Sequence, residues 1–415
     1  MFMFRYSHSL LLLLTCVVAG AGCDAPQAKF RRYSTFRLKS QAETDFTAVQ
    51  WQDIDETLEG LFGTPDQPAL PGIQDDEADI SKVLDLAKLK SAAGPVASDE
   101  HGVARGLYRE HCVHCHGVTG DGNGPTAAFL NPYPRDYRPG KFKFKSTPVG
   151  FRPTHSDLTQ VLVQGIPGTA MPSFKLLLDS EVDALVHYVK YLAIRGEVER
   201  KLIYETSQLE EKVRLVDVND KSPDQAEKVN GIKTFVKDIV AKWQQAEEAV
   251  VEVPQRPTQS PEELVASQKR GRTLFYGTVA NCVKCHGDSA LGDGQAGDFD
   301  EWVKEFVDPN KPGDADKIQA YVSHGLPEPR NIKPRNLRQG VFRGGLRPVD
   351  IFWRIRNGIE GTPMPAATLK PEGNPHAKGL TTDDIWDLVN YVQQLPYEPL
   401  SQPPHVETTD LRERL

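Results

Sequence analysis

Two residue types are scarce in this chain: its 415 residues hold six cysteines and four methionines. Cys16 and Cys23 lie near the N-terminus, and the other four cysteines form the pairs Cys112/Cys115 and Cys282/Cys285. No cysteine of the body is left over, which argues against a disulfide framework built from scattered residues. Positive charge is short as well. With 49 basic and 57 acidic residues the formal charge is −8, so the basic footprint of a nucleic-acid binder is missing. Long apolar runs are absent too. The one apolar stretch, Leu10 to Ala19, is much shorter than the ~20 residues a spanning helix needs. What remains, 39% hydrophobic and 26% charged, is ordinary for a globular protein, and the length implies two or three folded units.

The N-terminus reads as a leader, residues 1–22: Arg5, the apolar stretch, then the small residues Gly20-Ala21-Gly22, the layout of an export signal. Gly22-Cys23 resembles a bacterial lipobox, although Gly20 stands where leucine is usual. The expectation is export to the periplasmic side of a bacterial membrane with Cys23 lipidated as the tether. Plain secretion and a retained N-terminal anchor are the alternatives. Cys16 reads as filler. Residues 23–98, polar and punctuated by Pro65, Pro68, Pro71 and Pro95, read as an N-terminal extension or stalk. Within it Phe30-Arg31-Arg32-Tyr33 looks juxtamembrane, and Ile54, Leu58, Leu61 and Phe62 fit one short amphipathic helix.

An internal repeat dominates the rest. One copy spans 99–196 and the other 261–398. Each opens on a helical pattern (Leu107-Tyr108, Leu274-Phe275), followed by a CxxCHG motif and then Gly-Asp-Gly. Next come Pro134-Arg135-Asp136-Tyr137-Arg138 or Pro334-Arg335-Asn336-Leu337-Arg338. A Gly-Ile-x-Gly-Thr-x-Met-Pro segment follows, ending at Met171-Pro172 or Met364-Pro365. Each closes on an amphipathic helix, with Leu185, Tyr188, Val189 and Leu192, or Ile385, Leu388, Val389 and Val392, at i, i+3, i+4, i+7. The second copy carries extra residues around 295–330 and 366–380. Residues 197–260 form a charged linker in which Ile232, Phe235, Val236, Ile239, Val240 and Trp243 have helical spacing. A tail of 399–415 follows the second copy.

Cys112-Val113-His114-Cys115-His116 and Cys282-Val283-Lys284-Cys285-His286 are both CxxCH, the attachment pattern of c-type haem. Two thiols one helical turn apart reach the two vinyl groups along one porphyrin edge, and the next histidine projects onto the iron. A redox CxxC does not need the adjacent histidine, and a zinc site leaves the repeated methionine unexplained. Two covalently bound haems c are therefore expected, with His116 and His286 as iron ligands. Met171 and Met364, the only methionines of the body, hold matching places in the repeat and are the candidates for the sixth ligands. His155, His187 and His324 are the rivals. His187 lies within a helix, and the other two have no counterpart in the other copy.

These residues resemble the class I c-type cytochrome family across both repeats. The resemblance implies an all-α fold: two tandem cytochrome c-like domains joined by a helical linker, with an N-terminal extension. In each, the opening and closing helices would cross beside the haem, bringing Leu107, Tyr108 and Tyr188 together in one unit and Leu274, Phe275 and Tyr391 in the other. It also implies a proline carbonyl that orients the proximal imidazole. Pro125 fits that place, while Gly294-Gln295-Ala296-Gly297 has no counterpart.

Two basic runs adjoin the motifs. Arg135, Arg138, Arg335 and Arg338 recur in both copies and are candidates for contacts to haem propionates, since arginine matches carboxylate geometry. Lys141, Lys143, Lys145, Arg343, Arg354 and their neighbours read as loop charge that would steer an acidic partner. Iron held by imidazole and thioether has no open position, so the expected function is single-electron, outer-sphere transfer between membrane-associated respiratory oxidoreductases, with no catalytic residue. The donor and acceptor would be redox proteins such as a dehydrogenase or a terminal oxidase. The alternatives are the cytochrome subunit of a larger oxidase or dehydrogenase complex, and a dihaem cytochrome c peroxidase.

Overall fold

The computed structural model describes residues 27–40, 45–73, 78–210, 213–217, 220, 222–306, 315–371, 373–374 and 376–398. The leader, Cys23 and the tail 399–415 lie outside the described residues. Among these the fold is all-α, as expected, and the only paired strands are Ala97–Ser98 and Ala104–Arg105. No helix of the described residues is long and apolar enough to cross a membrane.

In chain order the helices are α1 (Ser34–Lys39), α2 (Ala48–Phe62), α3 (Leu86–Ala92), α4 (Leu107–His111), α5 (Val113–His116), α6 (His155–Gln164), α7 (Asp179–Ser207) and α8 (Pro223–Gln244). The second copy adds α9 (Pro261–Tyr276), α10 (Val283–His286), α11 (Glu301–Lys304), α12 (Ala315–Ser323), α13 (Pro348–Asn357) and α14 (Thr382–Gln394).

The second unit shows the expected crossing in full. α9 starts at a capping box, Ser260 with Glu263, and has Pro261 at its first position, both strong start signals. It crosses α14, itself capped by Thr381 and Asp384. Phe275 and Tyr391 meet edge to face, 5.5 Å apart. At the crossing, a Cβ on Gly271 would lie 2.0 Å from the Asp387 carbonyl oxygen, so only glycine allows this approach. The buried Asp387 carboxylate takes Arg270 on both oxygens (2.6 and 2.8 Å) and the Ser267 hydroxyl (2.5 Å).

The first unit builds the same crossing differently. Its opening helix is divided: α3 lies along α7, and the small hairpin separates it from the five-residue α4. Tyr108 still meets Tyr188, at 4.9 Å. The extension is therefore not a stalk. Tyr33, Ile54, Leu58, Phe62, Leu84 and Leu89 are buried in the same core as α7. The Tyr33 N–H donates to Glu199 at 2.8 Å, and the Tyr191 and Tyr188 hydroxyls donate to the carbonyls of Phe62 (2.5 Å) and Pro65 (3.4 Å). The expected juxtamembrane segment is likewise packed on the first unit: the Arg195 guanidinium lies 4.0 Å from the Phe30 ring, and Arg31 pairs with Asp121.

The linker is helical, and its boundary differs from expectation. α7 continues past residue 196 to Ser207 because nothing breaks it; its one glycine, Gly196, packs tightly against Arg138. α8 buries Ile232, Val236, Ile239, Val240 and Trp243, and the Trp243 indole donates to Glu197 at 2.8 Å.

The two units interlock. α6 and α13, the same element of the two copies, meet through Gln160, which donates to buried Asp350 at 3.0 Å. The insertion after residue 295 folds onto the first unit, where Val303, Phe306, Tyr321 and Leu326 join that unit's core.

Candidate functional site

Both CxxCH motifs and both methionines line one continuous cavity of about 1120 Å³. A single-ligand pocket is usually ~300–1,000 Å³, so the volume is large for one group. In each copy the motif sits on a single helical turn, α5 or α10, ended by a glycine of positive φ, Gly117 or Gly287.

The proximal side is the same in both units. His116 Nδ1 lies 3.1 Å from the Arg135 carbonyl, and His286 Nδ1 lies 3.1 Å from the Arg335 carbonyl. A carbonyl only accepts, so Nδ1 carries the proton and Nε2 keeps its lone pair for a metal, the usual outer partner of a ligating histidine. This corrects the expectation for Pro125: the orienting carbonyl belongs to the recurring Pro-Arg pair, so the second unit lacks nothing. Burial lowers the His116 pKa to about 4 and lowers that of His286 as well, keeping both rings neutral at physiological pH, the form that binds metal. His116 also stacks on Tyr137, 4.7 Å between centroids.

The methionine side repeats just as closely. The Thr169 hydroxyl donates to the Ile166 carbonyl (2.7 Å) and accepts the Met171 N–H (3.2 Å); Thr362 does the same with Ile359 (2.8 Å) and Met364 (3.2 Å). The turn closes when Ile166 N–H donates to the Met171 carbonyl (3.2 Å), and Ile359 to Met364 (3.1 Å). The segment is thus a threonine-locked loop that holds a half-buried thioether at the cavity. The threonine was not among the residues expected from the sequence, although its recurrence two residues before each methionine was the signal.

The rival histidines are elsewhere. His155 and His187 do not line the cavity; they share Asp183, with Nε2 to Oδ1 distances of 2.9 and 3.6 Å. Lys88 occupies the place a metal would take there, 2.6 Å from Asp183 and 3.5 Å from His187 Nε2. His324 is exposed and bonds the Ala320 carbonyl. The rival chemistries of the CxxC pairs also fit poorly. Burial pushes the Cys112 and Cys282 thiols up to about 12, the opposite of a reactive redox thiol. Among the described residues the only convergent group of metal-ligating side chains is His155, Asp183 and His187, so neither motif forms a zinc cage.

The basic residues divide. Arg135 and Arg335 line the cavity. Arg138 and Arg338 do not, which corrects their expected role. Arg138 pairs with Asp136 at 2.8 Å and covers the Tyr33 ring at 3.5 Å, while Arg338 pairs with Glu398 at 2.9 Å and with the Ser289 carbonyl. Each guanidinium is instead engaged by a carboxylate away from the cavity. In their place the cavity is lined by Lys143, Arg343 and Arg354, expected to be steering charge on loops. Burial lowers all three, Lys143 to about 8 and Arg354 to about 10. The buried Nε atoms of Arg343 and Arg354 have no hydrogen-bond partner. Orphan guanidinium donors facing a cavity that ends on two neutral imidazoles and two thioethers fit haem, whose carboxylates would complete them.

Fold and site together define an all-α protein in which two CxxCH turns and two methionine turns line one cavity. A family model for cytochrome c matches residues 103–193 and 268–396, and the chain belongs to the cytochrome c family, with two cytochrome c domains. The family implies covalently bound c-type haem and haem-based electron transfer. No curated protein matches the chain. Among solved structures it is similar to a chain of the Kuenenia stuttgartiensis reducing HAO-like protein complex, at 23% identity and a TM-score of 0.45, over 72% of this chain and 98% of that one.

Proposed function

We propose that the chain holds two haems c and passes single electrons between redox protein partners, with no bond-making reaction of its own. Cys112 and Cys115 would bind one haem and Cys282 and Cys285 the other. His116 with Met171, and His286 with Met364, would fill both axial positions of each iron. The observation that carries this reading is the duplication of the whole ligand set: the imidazole–carbonyl bond and the threonine-locked methionine turn recur with the same partners in both units. When bound, such a group supplies reversible one-electron chemistry at a raised potential. The chain's own residues bury it, fix the imidazole tautomer and aim the thioether. Arg343 and Arg354 would take the propionates, with Arg135 and Arg335 adding positive field at the same cavity. The leader and Cys23 imply a place on the outer face of a bacterial membrane, between a donor such as a dehydrogenase and an acceptor such as a terminal oxidase.

The test is spectroscopic. The oxidised protein should be low-spin with a near-infrared methionine–iron charge-transfer band, and Met171→His or Met364→His should each remove roughly half of that band while both haems stay covalently attached. High-spin iron in the resting oxidised protein would instead favour the peroxidase reading.

A further inference from the structure

Arg135 and Arg335 hold the same place in the two copies, and Arg335 has two ends that serve different units. The backbone carbonyl of each accepts from its own unit's proximal histidine, at 3.1 Å. The Arg335 side chain reaches across. The Arg335 guanidinium lies on Gly168 of the first unit: a Cβ there would stand 2.6 Å from Nη2 and 3.0 Å from Cζ. Gly168 has φ +74°, so the position needs glycine both for its backbone and for the absence of a side chain under the guanidinium. The next residue is Thr169, whose hydroxyl holds the Met171 N–H. Arg335 Nε donates to Val341 O at 2.8 Å in its own unit, which aims the guanidinium, and Arg343 adds a bond from Nη2 to the Gly168 carbonyl at 3.4 Å.

In the opposite direction the contact comes from a different residue and is made to Glu360, which lies in the turn that carries Met364. Lys145 of the first unit stands 2.5 Å from Glu360 Oε2, with both side chains buried.

We propose that Arg335 is a positioning residue that ties the proximal imidazole of the second haem site to the thioether loop of the first, and that Lys145 holds the Met364 loop from the first unit through Glu360, so that each methionine would be held in place by the opposite unit. The inference rests on the methionine-ligation reading above. A sixth ligand carried on a turn stays bound only as firmly as the turn is held, and here the holding cations come from the other repeat. Each haem's ligation is then set in trans.

The experiment is an imidazole titration of the oxidised, haem-loaded full chain, following displacement of the methionine band. In the M364H background only Met171 contributes the band. Adding R335Q, which leaves the backbone carbonyl in place, should make Met171 give way at about tenfold lower imidazole as the guanidinium leaves Gly168. In the M171H background the same R335Q should leave Met364 unchanged. If R335Q fails to fold or to load haem, K145M in the M171H background asks the same question of Met364 from the first unit, with the same tenfold change expected. An unchanged titration in either cross-unit test overturns the proposal. So does an R335Q effect that falls on Met364, which would make Arg335 a partner of its own unit's haem. Absence of the band in both parent variants would sink the ligand reading itself, and this inference with it.

Discussion

Thr169 and Thr362 each use one hydroxyl twice, donating to an isoleucine carbonyl and accepting a methionine N–H. Valine has the same shape and neither bond. Thr169→Val should therefore cost about 1–2 kcal/mol of stability and loosen Met171 while leaving Met364 alone. Thermal unfolding reads the first effect and the near-infrared band the second; a band as firm as in the parent protein would mean that Gly168 and Pro172 suffice. At this scale the sequence was most legible where two copies could be compared. The cysteines, histidines and methionines stood out because they are scarce and recur. Arg138 and Arg338 recur too, yet their carboxylate partners differ between the copies, Asp136 for one and Glu398 for the other. Orphan donors such as Arg354 Nε are visible only once the chain is folded, because what matters is which neighbours fail to arrive.

The closing helices were legible because a 3.6-residue apolar stripe runs over two turns, and Ile385, Leu388, Val389 and Val392 are all buried. The extension was legible only in part: Ile54, Leu58, Leu61 and Phe62 have helical spacing and lie on α2, but a period does not say what the helix packs against, and their burial is decided by the distant α7. The same dependence explains why the first unit replaces a sixteen-residue opening helix with α3 and α4: neither piece is long enough to read as a helix alone. Helix contacts make a sharp paired prediction. Gly271→Ala should destabilise the second unit by about 3 kcal/mol or more, because backbone atoms of α14 at 2.0 and 2.6 Å cannot move aside. Gly231→Ala, on the exposed face of α8 with nothing within 4 Å, should stabilise by about 0.5–1 kcal/mol. Denaturant midpoints of the two variants check this, and a Gly271→Ala protein as stable as its parent would mean that α9 and α14 do not cross as described.

Across the whole molecule, the boundary between repeats is not a boundary between cores. The insertion of the second copy supplies Phe306 and Tyr321 to the core of the first, and Glu305 fastens it there. Its carboxylate lies 3.0 Å from Lys39 of the extension and 2.7 Å from Arg200 of α7, so one side chain joins three parts of the chain that the sequence presents as separate. The rest of the second copy has a core of its own around Phe275, Phe352 and Tyr391, but the insertion and the bonds across the units couple it to the first, so calorimetry of the intact chain should show one transition rather than two. The Glu305 carboxyl is only partly desolvated, and Arg200 and Lys39 outweigh that cost and hold its pKa below the ordinary value. A carboxyl depressed on folding contributes stability above its unfolded pKa of ~4.3, and that contribution is lost as pH falls through the lower folded value. The single transition should consequently weaken and begin to split as pH drops below about 4. Glu305→Gln should cost about 2–3 kcal/mol at neutral pH, somewhat less than a fully buried pair because Lys39 is partly solvated, and should separate the two units' melting while removing this part of the acid sensitivity. Two resolved transitions in the unaltered chain at neutral pH would show that the repeats fold independently, and the cross-unit hold on Met171 and Met364 would then have no rigid frame to act through.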